Sequence, residues 1–558
     1  MGCRWVLGAE DRVVISLDFG TTFSGIAYAF CNPAKKPVVT TIVDWPGLEG
    51  RTQPKTPTKI SYAPDDAKQF KWGGQLDWED DCVCGVKLLL DPDQPEPLYL
   101  PTGNKKKEIK RLPKNPVDVA GDFIGAIYTH AMTKIESKVP REYFLLCEKQ
   151  FVLTVPAVWS DKAKDNTLRA AKKAGIHPVS LIKEPEAAAL YTMYSQERAL
   201  GIGDAFVLCD AGGGTVDLIT YEVVATRPGL ELAEVVPGSG GMAGSLGLNK
   251  RFAEAVQDLV GEEEWIKLKK GKGWRKAYEE FDQYVKRRFL GDTEEEYLIN
   301  FPQAGLEDNP FEGLKNDCWA MTGARVKQVF DPLVNDILRL VDEQAKNALI
   351  KRQGRGIKGI FLVGGFGASQ YLKECIQKAH PDVQVIQPDD AWAAILKGAV
   401  LSRLPHQAVV VSTQATHHYG VAALSIYEPA IDKGRPTEMT WYIYIGEDLK
   451  RDQMMKFSFY RTLNADYNND DLIFTDKLIT CVSPIPPNHP TQDTKENCTL
   501  QADLRDVDRA LFKQKTGIGG LTYYEVHYDL AVSTQAANMK FWLEFQGKEA
   551  GSVNADYN

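Results

Sequence analysis

The sequence predicts an α/β protein built from two similar halves and followed by an antiparallel β-domain. Two glycine-rich turns, each headed by an aspartate, recur at residues 18–22 and 210–217. From residue 13 to about 404, short β-branched runs alternate with helical patterns, whereas later runs alternate polar with apolar residues. A chain of 558 residues is too long for one hydrophobic core, so several domains are expected.

The two turns predict a phosphate-binding cleft. The first reads DFGTT and the second DAGGGTVD, and each follows an apolar run and leads into another strand. A turn without Cβ atoms lets backbone N–H groups approach phosphate oxygens, and a neighbouring carboxylate can hold a hydrated divalent cation. Because the turns open two similar halves, we expect the cleft to lie between the halves.

The elements between the turns follow the α/β pattern. Residues 151–156 predict a strand closed by proline, and residues 161–175 a helix ended by glycine. Residues 181–190 predict a strand that runs into an alanine-rich helix, and residues 359–369 a strand, a glycine turn and a helix. Segment 250–345 is rich in charge and helix formers, which predicts a largely helical insertion.

Beyond residue 405 the sequence predicts a separate β-domain. Residues 440–445, 523–530 and 540–545 alternate polar with aromatic or aliphatic side chains, as strands with one solvated face do. We therefore expect a β-rich domain over residues 405–558, in the form of an antiparallel sandwich.

Four motifs carry a family resemblance. These are DFGTT at 18–22, KEPEAAA at 183–189, DAGGGTVD at 210–217 and LVGG at 362–365. With them, residues 13–404 resemble the nucleotide-binding domain of the actin-like ATPase superfamily, and within it the seventy-kilodalton heat-shock chaperones. The resemblance implies a two-lobed, duplicated ribonuclease H-like domain over residues 1–404, with the second lobe starting near residue 200. Residues 405–558 resemble more weakly the chaperones' peptide-binding sandwich, without its helical lid.

The resemblance implies ATP or ADP and Mg²⁺ as cofactors. Phosphate contacts are implied for Gly20, Thr21, Thr22, Gly212, Gly213, Gly214 and Thr215. The hydrated Mg²⁺ is implied at Asp18 and Asp210, and catalytic roles for Glu184, Asp210, Asp217, Thr215 and Lys87. Lys87 rests on the order of motifs alone, and a solvated surface lysine is the alternative.

The nucleoside end departs from the family. There the Gly364-Gly365 pair would be followed by serine and an adenine-stacking arginine, but here Phe366 follows, as a candidate for stacking on a base or for packing. Lys286 and Arg287 are similar to a family helix motif that holds ribose and base, with Gln283 in place of glutamate. Gly244 matches loosely a glycine near the phosphates. Base selectivity stays open.

Composition excludes several functions. A net charge of −9 and a pI of about 5.6 disfavour a nucleic-acid surface, and no run approaches the roughly 18 apolar residues of a membrane span. The ten cysteines are scattered and no secretory signal is recognisable, which predicts a reduced, cytoplasmic setting. Cys82 and Cys84 form a close pair without further ligands at zinc spacing, so we interpret them as structural.

The function expected is an ATP-driven, slowly hydrolysing switch of the chaperone type. Nucleotide state would control binding of protein or peptide clients, with a nucleotide-exchange partner as a further expectation. The alternative is a nucleotide-responsive scaffold with negligible hydrolysis. A small-molecule kinase is disfavoured, because Phe23 and Ser24 stand where sugar kinases place Lys or Arg, and no filament-forming surface is recognisable. The oligomeric state is open.

Overall fold

The structure is a computed structural model. It describes residues 11–32, 36–77, 80–91, 109–110, 112–195, 200–405, 408–424, 437–517, 520–534, 537, 539–549 and 556–557. The chain divides into two compact units. The larger comprises Met1–Trp159 and Asn166–Val409, and the smaller Ser160–Asp165 and Val410–Asn558.

The first lobe of the larger unit is a mixed sheet with helices. Its strands are β1 (Arg12–Asp18), β2 (Phe23–Cys31), β3 (Thr40–Thr41), β4 (Thr56–Pro57), β5 (Lys59–Ala63), β6 (Asp66–Trp72), β7 (Val83–Cys84), β8 (Glu148–Val155) and β9 (Val179–Lys183). Its helices are α1 (Pro116–Glu136), α2 (Arg141–Leu146), α3 (Asp161–Lys173) and α4 (Glu184–Ser195), with 3₁₀ turns at Gly73–Gln75 and Val86–Leu90. The strands predicted at 151–156 and 181–183 and the helices after them are confirmed.

The central sheet of the first lobe has the order β3-β2-β1-β8-β9, and β4 pairs with β2. β1 is antiparallel to β2 and parallel to β8, and β8 is parallel to β9. Residues 13–17 of β1 are all buried, as expected for a strand covered on both faces. The sheet therefore brings the carboxyl ends of β1, β8 and β9 to one edge.

The second lobe begins with β10 and carries a further subdomain. Its strands are β10 (Ala205–Ala211), β11 (Val216–Ala225), β12 (Leu230–Gly241), β13 (Glu296–Asn300), β14 (Leu314–Lys315), β15 (Cys318–Thr322), β16 (Gly359–Val363) and β17 (Gln384–Ile386). Its helices are α5 (Leu246–Val260), α6 (Glu262–Leu268), α7 (Lys272–Glu280), α8 (Lys286–Arg288), α9 (Gly323–Lys351), α10 (Gln370–Ala379) and α11 (Ala394–Leu401), with 3₁₀ residues Pro310–Glu312.

The second lobe repeats the topology of the first. Its central strands lie in the order β12-β11-β10-β16-β17. β10 is antiparallel to β11 and parallel to β16, and β16 is parallel to β17. Strand order and directions thus match those of β3-β2-β1-β8-β9. The two glycine turns lie in equivalent hairpins, β1–β2 and β10–β11.

The insertion predicted to be largely helical also contains a small sheet. Antiparallel strands in the order β13-β15-β14 separate its helices. One turn, Phe281–Val285, is a π-helix. The core of this region is aromatic: the rings of Phe252 and Phe281 stack with centroids 4.1 Å apart. The strands of this sheet are only two to five residues long and lie between longer, charge-rich helices, so the sequence pattern of the segment indicated helices alone.

The smaller unit is β-rich. Its strands are β18 (Ala408–Gln414), β19 (His418–Leu424), β20 (Thr437–Ile443), β21 (Asp448–Lys450), β22 (Met454–Asn464), β23 (Ile473–Cys481), β24 (Thr494–Asp503), β25 (Lys513–Thr516), β26 (Thr522–Thr534), β27 (Met539–Phe545), β28 (Lys548–Glu549) and β29 (Asp556–Tyr557). Two antiparallel sheets, β20-β19-β23-β24-β29 and β22-β26-β27-β28 with β25 on β26, contribute to one apolar core. Leu478 and Leu500 come from the first sheet, and Leu530 and Leu543 from the second.

Two expectations from composition concern the described residues. Within these ranges, no helix is both long enough and apolar enough to cross a membrane. The cysteines in the same ranges are free thiols. Cys82 and Cys84 lie with their Sγ atoms 3.2 Å apart at the end of β7, as hydrogen-bonded thiols.

Candidate functional site

The two glycine turns meet. A Cβ atom added to Gly213 would lie 2.3 Å from Oγ1 of Thr22, so the turn of one lobe is in direct contact with that of the other. Within the first turn, the N–H of Gly20 donates to Oγ of Ser24 at 3.2 Å. Within the second, the N–H of Gly212 donates to the carbonyl of Thr215 at 2.9 Å. Absence of a side chain at Gly213 is what allows this approach.

Buried ionisable groups surround the meeting point. They are the carboxylates of Asp18, Glu184, Asp210 and Asp217 and the ammonium groups of Lys55 and Lys87, each less than a tenth exposed. Asp18 ends β1, Glu184 begins α4 directly after β9, and Asp210 lies in β10. Carboxyl ends of parallel strands meet at one sheet edge, and this places the acidic residues of each lobe together. With four acids and two bases, the cluster carries excess negative charge.

Lys87 lies inside this cluster. It is 4% exposed, in the 3₁₀ turn Val86–Leu90, and its Nζ forms an ion pair with Oε1 of Glu184. Burial disfavours the ammonium, but Glu184 and Asp18 outweigh it and raise the pKa of Lys87. Burial, reinforced by the neighbouring aspartates, raises the pKa of Glu184 to about 8. Burial is the larger cause for Glu184, and the neighbouring carboxylates favour the protonated form of both groups.

Asp18 is fully engaged by protein groups. Its Oδ2 accepts from Nζ of Lys55 at 2.6 Å, and its Oδ1 accepts from the hydroxyl of Thr154 at 2.9 Å. Burial opposes ionisation, but Lys55 and Lys87 outweigh it and hold the pKa of this carboxyl below its usual value. The carboxylate predicted to bind a hydrated cation is thus already paired with an ammonium group.

Asp210 and Asp217 have the opposite environment. They stand directly opposite each other on β10 and β11. Oδ1 of each is buried and has no hydrogen-bond partner among the described residues, while Oδ2 of Asp217 accepts from the Thr215 hydroxyl at 3.0 Å. Burial and the charge of Asp217 raise the pKa of Asp210 to about 7. Burial likewise raises the pKa of Asp217.

These two aspartates fit a divalent cation. Two buried carboxylate oxygens without partners are hard ligands of the kind that Mg²⁺ uses, and a cation would offset the charge that raises their pKa values. Across the described residues, no group of three or more His, Cys, Asp or Glu side chains is arranged to hold a metal. The donor set therefore suits an ion that takes its other ligands from water and phosphate.

The third glycine motif packs against the second lobe's aspartate. Gly364 has a φ of 86°, and a Cβ there would lie 2.4 Å from Oδ1 of Asp210, whereas one at Gly365 would meet nothing within 4 Å. Phe366 is 3% exposed and packs in the core, with its ring 6.2 Å from that of Phe330. Its expected stacking on a base gains no support from this position.

The remaining predicted residues lie beside the second turn. Gly244 packs on it, since a Cβ there would lie 2.4 Å from the carbonyl oxygen of Gly213. Nζ of Lys286 donates to Asp282 at 2.7 Å, to Asn249 at 2.9 Å and to the Ser245 carbonyl at 3.3 Å, and burial lowers its pKa. Arg287 is exposed. Lys286 is thus joined to the start of α5, where the N–H groups of Ser245 and Leu246 donate to the carbonyls of the second glycine turn, while Arg287 faces solvent.

Three residues that belong to the cluster or contact it, Lys55, Thr154 and Trp159, were not predicted from the sequence. Lys55 lies in a threonine- and proline-rich segment that reads as a loop, so nothing signalled its burial. Thr154 could have been found once β8 was placed parallel to β1. In that register Leu153 pairs with Leu17, which puts the next residue, Thr154, beside Asp18. The Trp159 ring centroid lies 5.4 Å from Nζ of Lys87, and its buried Nε1 has no partner among the described residues.

Comparisons with known proteins agree with this geometry. The chain is 25% identical over 516 residues to human heat shock 70 kDa protein 12A, covering 74% of this chain and 72% of the relative. The mouse protein of that name gives the same values. Human heat shock 70 kDa protein 12B is 26% identical over 525 residues, covering 75% and 72%.

A family model supplies the assignment. The Hsp70 protein model matches residues 126–422, which is more than half of the chain. Its domain implies the two-lobed actin-like ATPase fold and the binding of ATP or ADP, in agreement with the duplicated lobes and their meeting turns. The chain belongs to the Hsp70 protein family.

Proposed function

We propose that the protein is an ATP-dependent switch that hydrolyses ATP slowly and couples nucleotide state to the binding of protein clients. One observation carries the proposal: turns of two topologically equivalent lobes meet beside a buried cluster of four carboxylates and two ammonium groups. An opposed pair of glycine turns suits a polyphosphate, because backbone N–H groups from both lobes can approach its oxygens. Contact with both lobes lets the terminal phosphate favour a closed arrangement.

In this proposal each part of the cluster has a role. Gly20, Thr21 and Thr22 face Gly212, Gly213, Gly214 and Thr215 across the phosphates. Asp210 and Asp217 would hold Mg²⁺, which supplies charge neutralisation at the phosphates. Lys87 keeps its proton beside Glu184, so it offers a positive charge to the transferred phosphoryl group. Glu184 would orient the attacking water.

The smaller unit is the proposed client-binding part. We propose that its two antiparallel sheets form a sandwich that binds protein or peptide segments, with a separate protein promoting nucleotide exchange. A cytoplasmic location fits the free thiols of the described residues, since disulfides are rare in reducing compartments.

Steady-state phosphate release tests the hydrolytic part. We expect slow release with Mg²⁺ and ATP that falls by about a hundredfold in Glu184→Gln, because such a change removes a positioned group acting in the transition state. Lys397→Met, which removes an ion-paired lysine on α11 outside the cluster, is the matched control. Release by the unsubstituted protein at the level of Glu184→Gln would contradict hydrolysis and favour the scaffold.

Calorimetric titration, combined with the phosphate-release measurement, separates the two candidate functions. The alternative is a nucleotide-responsive scaffold with negligible hydrolysis, so both candidates bind nucleotide and differ in phosphate release. Titration with ATP, ADP and GTP in Mg²⁺ measures binding independently of turnover. Binding without turnover supports the scaffold, and no binding of any nucleotide contradicts both functions.

A further inference from the structure

Lys55 stands out among the buried charges because no motif includes it. It lies outside the residues matched by the family model and is 7% exposed. Its Nζ lies 2.6 Å from Oδ2 of Asp18, the residue that heads the first turn. With the Thr154 hydroxyl on Oδ1, the carboxylate has a protein donor on each oxygen.

The segment around Lys55 is fixed to the first turn. Thr56 pairs with Ser24 on β2, and the N–H of Thr58 donates to the carbonyl of Thr22 at 2.8 Å. The hydroxyls of Ser24 and Thr58 are 2.8 Å apart. Because Thr56 and Thr58, which follow Lys55 in sequence, are both tied to the hairpin that carries the turn, the backbone beside Lys55 is held next to that turn.

A glycine makes room for the Lys55 side chain. The residue opposite Asp18 on β2 is Gly25, and a Cβ there would lie 3.1 Å from Cγ of Lys55 and 2.5 Å from the carbonyl oxygen of Pro54. The equivalent position in the second lobe, opposite Asp210, is Asp217. One lobe thus admits a cationic side chain where the other adds a second carboxylate.

We propose that Lys55 is a positioning residue whose ammonium group neutralises Asp18, so that the first turn accepts nucleotide phosphates without a metal ion at Asp18. The inference rests on the proposed nucleotide binding and deepens it. Any divalent ion is then confined to the second lobe at Asp210 and Asp217. A phosphate chain at the first turn meets an ion pair rather than a bare carboxylate, so this turn adds no repulsion that a divalent ion would have to offset.

Calorimetric titration of the full chain with ADP tests this, in excess Mg²⁺ and in excess EDTA. We expect the unsubstituted protein to retain measurable ADP binding in EDTA. Lys55→Met keeps the aliphatic stem but exposes the phosphates to the charge of Asp18. In EDTA we expect this variant to bind ADP at least about tenfold more weakly than the unsubstituted protein does in EDTA. In Mg²⁺ the difference between the two proteins should be markedly smaller. The control Lys397→Met should bind ADP as the unsubstituted protein does in both buffers.

A double variant separates neutralisation from loss of the fold. Lys55→Met with Asp18→Asn removes both charges, so no unpaired carboxylate is left buried, and we expect it to regain most of the affinity in EDTA. Lys55→Arg should also retain it. Unchanged affinity of Lys55→Met in EDTA, or a double variant as weak as the single one, overturns the inference. Absence of ADP binding by the unsubstituted protein in both buffers overturns the proposed function, and with it this inference.

Discussion

The two lobes share one topology but differ in the charge at equivalent positions. In the first, Asp18 is opposite Gly25 and receives Lys55 and Thr154, so both carboxylate oxygens are paired. In the second, Asp210 is opposite Asp217 and beside Gly364, which offers no side chain to it. The first lobe supplies its own cation, whereas the second leaves two buried carboxylate oxygens without a hydrogen-bond partner among the described residues. A duplicated fold can therefore divide a binding task between its halves.

The largest effect expected is an opposite response to the same substitution in the two lobes. Asp18→Asn leaves Lys55 buried without a counter-ion and should lower the free energy of unfolding by about 3 kcal/mol. Asp210→Asn removes a buried carboxylate of raised pKa, and without divalent ions at pH 8 it should raise that free energy by about 1 kcal/mol.

Urea titration with hydrogen exchange of the β1 and β10 segments measures this difference within the larger unit. Equal changes of the same sign in the free energy of unfolding of the two variants would contradict the expected difference in charge pairing between Asp18 and Asp210.

The next effect sharpens the role of glycine beside Asp210. Gly364→Ala forces a Cβ to within 2.4 Å of Oδ1 of Asp210 at a φ of 86°, so we expect a loss of about 2 kcal/mol in the free energy of unfolding. Gly365→Ala is the matched control, because a Cβ there meets nothing within 4 Å. Thermal unfolding of the two variants provides the comparison, and equal melting temperatures would contradict the close approach.

A smaller effect concerns pH in the absence of divalent ions. Asp210 titrates at about 7 in the folded chain against a usual value of 3.8. Between these values the folded state binds more protons than the unfolded state, so stability falls as pH rises and levels off above 7. From pH 6 to pH 8 this group should remove about 1.4 kcal/mol.

The pH effect is measured as the difference between the unsubstituted protein and Asp210→Asn across that range. Mg²⁺ should restore the loss at pH 8 and have little effect at pH 6. If the difference in unfolding free energy between the two proteins does not change with pH, Asp210 is not the group whose ionisation lowers stability in this range.

The smallest effect tests the base end of the second lobe. Phe366→Leu shortens a core side chain and should lower the free energy of unfolding by about 1 kcal/mol through lost packing. The ratio of ATP to GTP affinity should stay unchanged, because the ring packs on Phe330. A changed ratio of ATP to GTP affinity in calorimetric titration would indicate that Phe366 contacts the base.

Much of the site follows from local pattern. Asp18, Asp210 and their glycine turns were predicted because a strand, an acid and residues without Cβ atoms are contiguous in sequence. Lys87 was uncertain, since a single lysine in an apolar run does not reveal what faces it; the fold brings it to Glu184 across a sequence separation of 97 residues. Phe366 is the opposite case, a candidate for base stacking that the fold buries in the core. An aromatic residue after a glycine turn can pack in a core as readily as it can bind a ligand.

The sequence by itself determined the duplicated α/β order, the two turns and the β-rich end, because strand periodicity and glycine turns are encoded by neighbouring residues. Only the tertiary structure decided which acid is neutralised. The pairing of Lys55 with Asp18 depends on a gap at Gly25 and on a segment tied to Ser24, and the unpaired oxygens of Asp210 and Asp217 depend on strand register. Charge balance in a buried site is set by distances between remote residues, which a linear pattern does not contain.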